Sequence, residues 1–441
     1  MFDPAIIDSP HPLALSDRIG RHGRLLTGDT CLDRVRREAR VRERVAELTS
    51  QGLRSGQVVL CPDIPVLELV LMALALRRVG AALLPYRTGT DPSDLDRLAA
   101  ATGAEWRWCP ENATLVGTGM TSPCQAPVDS ALASLVKTSG SSGGPKVVML
   151  TRENLRSSAA AVNRRIGFGS EDVWLCCLRL SHIGGLAIID RWELAGATLI
   201  LHERFDAQAL ADDLHRHGVT HVSFVPPMLD RLLETGVAPP PTLRVVLVGG
   251  QKLSDVLAER AIAAGWPLFL TYGMTETSSQ IATSASALDR VPEEGRVGPL
   301  LPGVEIESLA SPTGLQRLRV RGPMVMAGYA NPSRIPGDGL DDGWFETSDL
   351  VIPGDDGEPR ILGRSDDVLV VGGCNVSLVR VAALLRRAPG VAEAIVVGLE
   401  DPVWGHRLVA VYRGALDEQA LGRWCEGALS GAERPRAFRC V

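Results

Sequence analysis

Aromatic residues are scarce, making up 4% of the 441 positions. No apolar run is long enough to span a bilayer: the most hydrophobic helical stretch, Val66 to Leu76, is short and contains Glu68. The N-terminus, Met-Phe-Asp-Pro, lacks the basic segment and apolar core of an export leader, so a cytoplasmic protein without membrane attachment is expected. A net positive charge is also lacking. A net charge of −6 without a long basic cluster speaks against a nucleic-acid partner held by bulk electrostatics. The 9 cysteines show no paired zinc-type spacing, and Cys176 and Cys177 are adjacent, which fits a reducing compartment. What is present is a 45% hydrophobic chain rich in Ala and Gly, enough for one or two large cores and a small domain besides.

The most informative stretch runs from Ser134 to Thr151, where a hydroxyl- and glycine-rich loop separates two apolar runs. Gly140, Gly143 and Gly144 let successive backbone N–H groups converge on one anion. Thr138, Ser139, Ser141 and Ser142 add short donors, and Lys146 adds charge. The pattern reads as a phosphate loop, although a solvated hairpin turn draws on the same residue types. It is not a Walker loop. Pro145 separates Gly144 from Lys146, Val147 stands where Ser or Thr would hold magnesium, and Val147 to Leu150 is strand-like, so the context is strand, loop, strand.

Along the chain, Leu32, Val35, Ala39, Val41, Val45 and Leu48 are spaced for one apolar face of a charged helix over 31–53. A strand at Val58 to Leu60, a helix at Val66 to Val79 and a turn from Gly80 into another strand make a β-α-β unit, and Asp91 to Ala101 reads as the next helix. Arg152 to Arg165 is a helix entered from Thr151, Trp174 to Leu178 a strand, Leu180 to Gly185 a loop carrying His182, and Leu186 to Leu194 a buried helix. A lone loop histidine is usually just exposed. From 197 to 271 strands and helices alternate through short turns, which predicts a parallel sheet with helices packed on it. Ligands on such sheets bind beyond the carboxyl ends of the strands, which places Pro226, Gly249, Gly250, Gln251, Tyr272 and Gly273 on one rim. Tyr272, Thr275 and Glu276 combine an aromatic with a hydroxyl and a carboxylate, suited to a nucleotide and its metal. Val291 to Gly328 suggests an antiparallel subdomain, Asp349 a carboxylate at a loop end, and Gly363 to Asp367 a boundary before a short tail with its own strands and helix. Adjacent acids such as Asp366 and Asp367 also occur in ordinary solvated turns.

Together these stretches resemble the adenylate-forming superfamily of acyl-CoA synthetases, peptide-synthetase adenylation domains and luciferases. The likeness covers roughly residues 30 to 440 and rests on ordered motifs: TSGSSGGPK from Thr138 to Lys146, YGMTE from Tyr272 to Glu276, GWFETSD from Gly343 to Asp349, GRSDD from Gly363 to Asp367, and GGCN from Gly372 to Asn375. The resemblance implies an α/β fold: a large N-terminal domain of parallel sheets with flanking helices and a small β-rich subdomain (1–363), then a small mobile α+β domain (364–441). It implies that the loop 138–146 holds the β- and γ-phosphates of ATP, that Thr275 contacts the α-phosphate and that Glu276 binds Mg2+. Tyr272 would stack on adenine, Gly250 and Gln251 line the base and acyl pocket, Asp349 and Arg364 grip the ribose, and Asp366 serve as the hinge. His182 matches the residue that gates the thiol of CoA, and Gly372 and Gly373 would lie against its pantetheine arm. Around His182, Trp192 and Pro226 the sequence looks most like 2-succinylbenzoate-CoA ligases of menaquinone synthesis.

The implied reaction is ATP-dependent activation of a carboxylic acid to an acyl-adenylate, followed by thioester formation with CoA. Passing the acyl group to a carrier protein or an amine, and a catalytically silent binding protein, are the other readings. Departures from the pattern are Ser348 where Gly is usual, and Leu378 and Arg380 near positions usual for Pro and Glu. The family's C-terminal lysine, which bridges carboxylate and phosphate, falls beyond Val441. Adenylation slower by on the order of a hundredfold is therefore expected unless Arg434, Arg436 or Arg439 substitutes. The sequence shows no single cation in the acid pocket that would announce a dicarboxylate.

Overall fold

The computed structural model describes residues 23–121, 131–138, 146–293, 295–310, 316–331, 334–352, 358–365 and 368–441. The chain opens with a hairpin, β1 (Leu25–Thr27) and β2 (Thr30–Leu32), and helix α1 (Arg34–Ser50), whose first turn is capped by the Asp33 carboxylate. The expected apolar face of α1 is only partly right. Val35 is 75% exposed, because the inward positions are taken by Arg37, Val41 and Leu48. Arg37 can lie inside because its guanidinium stacks over Trp192 and donates to the Gly23 carbonyl.

A first sheet follows from β3 (Val58–Pro62), α2 (Val66–Val79), β4 (Ala82–Tyr86), α3 (Pro92–Thr102), β5 (Trp106–Cys109), β6 (Thr114–Gly117), β7 (Leu132–Lys137) and β8 (Val147–Thr151). Strands β3, β4, β5 and β7 are parallel, and β8 returns antiparallel beside β7. Helix α2 is apolar on nearly every side because it runs through the centre of the molecule, buried from Val66 to Leu76 apart from Glu68.

A second sheet is built from α4 (Arg152–Ile166), β9 (Val173–Cys176), α5 (Ile183–Ala195), β10 (Thr198–Leu201), α6 (Ala207–Arg216), β11 (His221–Phe224), α7 (Pro226–Glu234), β12 (Val245–Val248), α8 (Asp255–Ala263), β13 (Leu268–Met274) and β14 (Ser279–Thr283). Its order is β14-β13-β12-β11-β9-β10-β1-β2, parallel from β13 to β1, as the alternation predicts. One core joins both sheets through α2, α4 and α5, and a second lies between this sheet and α6, α7 and α8. Glu203, just past β10, accepts the N–H of Val66 at 3.0 Å and so ties the second sheet to the first turn of α2.

Two boundaries differ from expectation. Strand β13 continues through Tyr272 to Met274, and α5 begins at Ile183, so His182 caps a helix rather than sitting within a loop.

An antiparallel sheet, order β15-β16-β18-β19, comes from β15 (Glu305–Ala310), β16 (Gln316–Arg321), β18 (Phe345–Ile352) and β19 (Arg360–Arg364). Between β16 and β18, the short β17 (Gly328–Tyr329) leaves this sheet and pairs with β8 instead. The subdomain therefore reaches beyond Gly328. Asp349 lies within β18 rather than at a loop end, paired with Arg364 across the ladder.

The small C-terminal domain contains β20 (Val368–Val371), β21 (Cys374–Ser377), α9 (Leu378–Leu385), β22 (Val391–Asp401), β23 (Gly405–Gly414), α10 (Glu418–Ala428) and β24 (Ala437–Cys440), around a core of its own. Among the described residues no helix is long and apolar enough to cross a membrane, and the described cysteines are free thiols.

Candidate active site

The phosphate-loop stretch joins β7 to β8. Lys137 pairs with Val147, and the Thr138 N–H donates to the Lys146 carbonyl at 2.8 Å, so the two ends of the loop are pinned together. Ser139, Gly140, Ser141, Ser142 and Gly143 lie outside the described residues. Beyond the loop, the residues that follow β17 fix the exit: Asn331 Oδ1 accepts the Val147 N–H at 2.9 Å, and the Ala330 N–H donates to the Val147 carbonyl at 2.7 Å.

Lys146 Nζ stands 4.7 Å from the ring centroid of Tyr329, and the Tyr329 hydroxyl donates to Glu276 Oε1 at 3.1 Å. Burial, and then the Glu276 charge, push the Tyr329 phenol far up, so it remains a donor. Among the described residues Glu276 Oε2 has no protein partner, and no cluster of three or more acidic, His or Cys side chains could cage a metal. A half-buried carboxylate oxygen of this kind fits one ligand of a Mg2+ that takes its remaining oxygens from phosphates and water.

Thr275 and Glu276 occupy a tight turn between β13 and β14. Thr277 Oγ1 accepts the Met274 N–H at 3.1 Å, and the Met326 N–H donates to the Glu276 carbonyl at 2.8 Å. Ser278 and Ser279 hold φ of 53° and 104°, a conformation that costs free energy and needs its surroundings to impose it. They do: Ser278 Oγ donates to the Met324 carbonyl, and Ser158 Oγ to the Ser278 carbonyl, at 2.8 and 2.9 Å. Gly273 admits the close return of the chain, since a Cβ there would lie 1.8 Å from the Ser279 carbonyl oxygen.

Tyr272 donates its hydroxyl to Asp349 Oδ2. Burial and the Asp349 charge raise the phenol well above its usual range, with Arg364 pulling the other way. Tyr272, Asp349 and Arg364, predicted from motifs far apart in sequence, are thus one cluster. Gly250 and Gln251 stand exposed past the end of β12, the strand beside β13, with Gly250 at φ 78°. His182 is exposed at the start of α5. Gly373 lies in the small domain on the turn between β20 and β21, where the Gly372 N–H donates to the Trp404 carbonyl at 2.8 Å. Asp366 lies outside the described residues.

Residues 106–330 match the profile of the AMP-binding enzyme family, and residues 380–441 match that family's C-terminal domain. The chain belongs to the AMP-binding enzyme family. A 2-succinylbenzoate-CoA ligase of Bacillus licheniformis is 35% identical over 316 residues, covering 70% of this chain. The matched stretch spans 66% of that relative's own length, just under two thirds. The o-succinylbenzoate CoA synthetase (MenE) of Bacillus subtilis, solved in complex with the acyl-adenylate intermediate OSB-AMP, superposes with TM-score 0.83 at 26% identity, covering 97% of this chain and 92% of that one. The same protein solved in complex with ATP and magnesium ion gives TM-score 0.83 at 26% identity over 96% and 93% of the chains.

Three residues of this AMP-binding enzyme stand at the site without having been singled out in the sequence. Tyr329 is the first. Arg191 is the second: it is 1% exposed in α5, its Nη2 donates to Ser279 Oγ at 3.0 Å, and its Nε has no partner. Burial pushes its pKa down to about 10, partly offset by Asp190 and Cys176, so it stays charged at neutral pH. A single cation in the apolar run 186–194 was the available signal. Its contact with Ser279 is made across 88 positions of sequence. Asp63 is the third. Burial raises its carboxyl, while Arg179, His182, Arg87 and a hydrogen bond from Ser181 act to lower it. Arg434 and Arg436, candidates to replace a lysine, donate to carbonyls of their own domain: Arg434 to Leu429 and Glu426 at 3.0 and 2.8 Å, Arg436 to Gly431 at 3.4 Å.

Proposed function

We propose that this AMP-binding enzyme activates a carboxylic acid with ATP to an acyl-adenylate and then transfers the acyl group to the thiol of CoA, with 2-succinylbenzoate as the acid. The observation that carries the reading is a pair of side-chain clusters, Tyr272 with Asp349 and Arg364, and Lys146 with Tyr329 and Glu276, which share the stretch from Tyr272 to Glu276. The first suits the base and ribose diol of a nucleotide, the second its phosphates.

The acid's carboxylate attacks the α-phosphate, the O–P bond forms as the α–β bond breaks, and pyrophosphate leaves. Lys146 and the loop 138–146 balance the charge that develops on the leaving group, and Thr275 hydrogen-bonds the α-phosphate. Glu276 would help hold Mg2+, which would supply further charge neutralisation. In the second step the thiol attacks the acyl carbon and AMP departs. His182, exposed at the head of α5, gates that approach in this reading. The small domain, with its boundary placed after residue 363 and its hinge at Asp366, turns between the steps so that Gly373 meets the pantetheine arm.

Arg191 supports an acid with a second carboxylate. A buried guanidinium that makes no ion pair among the described residues is costly unless a ligand supplies the anion. 2-Succinylbenzoate, with two carboxylates, meets that requirement. The test is to incubate the protein with ATP, Mg2+, CoA and 2-succinylbenzoate and to assay AMP and thioester. Thioester formation that requires all four supports the proposal. AMP release that ignores CoA, or thioester formed only on a carrier protein, moves the reading to another acceptor. Nucleotide binding without AMP release from any aryl or alkyl acid favours a silent binding protein.

A further inference from the structure

We infer that Tyr329 is a positioning residue that holds the phosphate-loop lysine and the metal-side carboxylate as one unit, its ring serving Lys146 and its hydroxyl serving Glu276. The inference rests on the adenylating function proposed above. No substrate contact is required of Tyr329, which is only 8% exposed.

Tyr329 is placed by backbone, not by chance packing. It pairs with Val148 in β8, the strand that leaves the phosphate loop, so any shift of the loop's exit moves the ring with it. The ring is backed by Gly339, which holds φ 80° and approaches so closely that a Cβ there would lie 2.5 Å from Tyr329 Cδ2. The ammonium of Lys146 sits 4.7 Å from the ring centroid, within reach of the aromatic face's negative potential. A lysine in a glycine-rich loop is otherwise a long flexible chain, and the ring limits where its charge rests.

The hydroxyl acts on the other partner. By donating to Oε1 of Glu276 at 3.1 Å it occupies one carboxylate oxygen, and Oε2 has no protein partner among the described residues. The Met326 N–H, from the segment that leads into β17, also donates to the Glu276 carbonyl at 2.8 Å. Backbone and side chain of Glu276 are therefore fixed from the same segment that carries Tyr329. Loop lysine and acidic turn, 130 positions apart in sequence, are registered to one another through one phenol.

The two halves of Tyr329 can be separated by substitution. Y329F keeps the ring and removes the hydroxyl; Y329L removes both. Calorimetric titration of the full chain with AMP, with ATP lacking Mg2+, and with ATP at increasing Mg2+ reads each part. For Y329F the Mg2+ concentration needed to reach half of the metal-dependent gain in ATP affinity should rise about tenfold, the size expected for one hydrogen bond to a charged group. Its AMP affinity and Mg2+-free ATP affinity should stay within about twofold. Y329L should in addition weaken Mg2+-free ATP several-fold, because Lys146 loses its platform. An unmodified chain that binds both nucleotides while Y329F shows the same Mg2+ dependence overturns the inference and leaves the proposed function standing. Parallel loss of AMP and ATP in Y329F also overturns it, since that marks a merely structural tyrosine. An unmodified chain that binds no nucleotide overturns both. Should Y329L fail to fold, Y329F decides.

Discussion

Arg191 is the residue whose removal separates substrate choice from catalysis. Its charge is buried against Ser279 and Trp174. If it pairs with a second carboxylate of the acid, R191M should raise KM for 2-succinylbenzoate by about 10- to 100-fold, the equivalent of one charge-assisted hydrogen bond, and leave KM for ATP nearly unchanged. A monocarboxylic aryl acid should lose little. Equal losses for both acids would mean that Arg191 supports the fold and not the substrate. A second residue, His221, bears on stability. It is buried beside Trp174 and Phe168, and burial pushes its pKa down to about 4, only partly offset by the Ile166 carbonyl and Asp172. Its folded pKa lies below the unfolded value of about 6.5, so above pH 6.5 both states are neutral and the full stability is present. As pH falls from about 6.5 towards 4 the unfolded chain binds a proton that the folded chain refuses, and stability is lost, by at most about 3 kcal/mol. Urea unfolding across that window should show the fall, and H221F should flatten it. An unchanged slope would assign the acid sensitivity elsewhere.

At the scale of elements, the β13–β14 reversal is the part of the site least tolerant of change. G273A should displace Tyr272 and Thr275 together, because a Cβ at 1.8 Å from the Ser279 carbonyl oxygen cannot be absorbed by a flexible side chain. AMP affinity should fall at least about tenfold, the cost of one misplaced polar contact, with far-ultraviolet circular dichroism unchanged; retained affinity would show that the turn can open. What could be read from the sequence follows from the same distinction between local and distant causes. Parallel strands buried on both faces appear as short runs such as Val245 to Val248, and helix starts carry their caps, as Thr151 and Asn154 do for α4. Those elements were legible. Val35 was misplaced because hydrophobic spacing could not foresee that Arg37 would find a stacking partner in Trp192. Tyr329 and Arg191 were not singled out because their roles depend on contacts 53 and 88 positions away. The chemistry of Tyr272, Asp349 and Arg364 was legible as motifs, while their meeting at one point, across 77 positions from Tyr272 to Asp349, needed the fold.

For the molecule as a whole, the division of cores decides how it should unfold. The two large sheets share one core through α2, α4 and α5, so neither is expected to survive loss of the other. The C-terminal domain packs Val376, Val381, Leu385, Leu408, Ala410, Leu421 and Cys425 into a separate core, and Arg387 meets the large body through an ion pair with Asp255 at the half-exposed surface. An exposed pair of this kind adds little to stability, about 1 kcal/mol or less, so coupling across the seam should be weak. Truncating Leu421, which is fully buried in α10, should cost the small domain about 2–5 kcal/mol. In scanning calorimetry L421A should therefore lower one transition and leave the other in place. AMP should continue to stabilise the unshifted transition, because Tyr272, Asp349, Thr275 and Glu276 all belong to the large body. Thioester formation should fall, since the proposed second step needs the turn that carries Gly373. A single transition that moves as one, or loss of AMP binding in L421A, would show that the domains are energetically continuous and that the small domain does not turn as an independent unit.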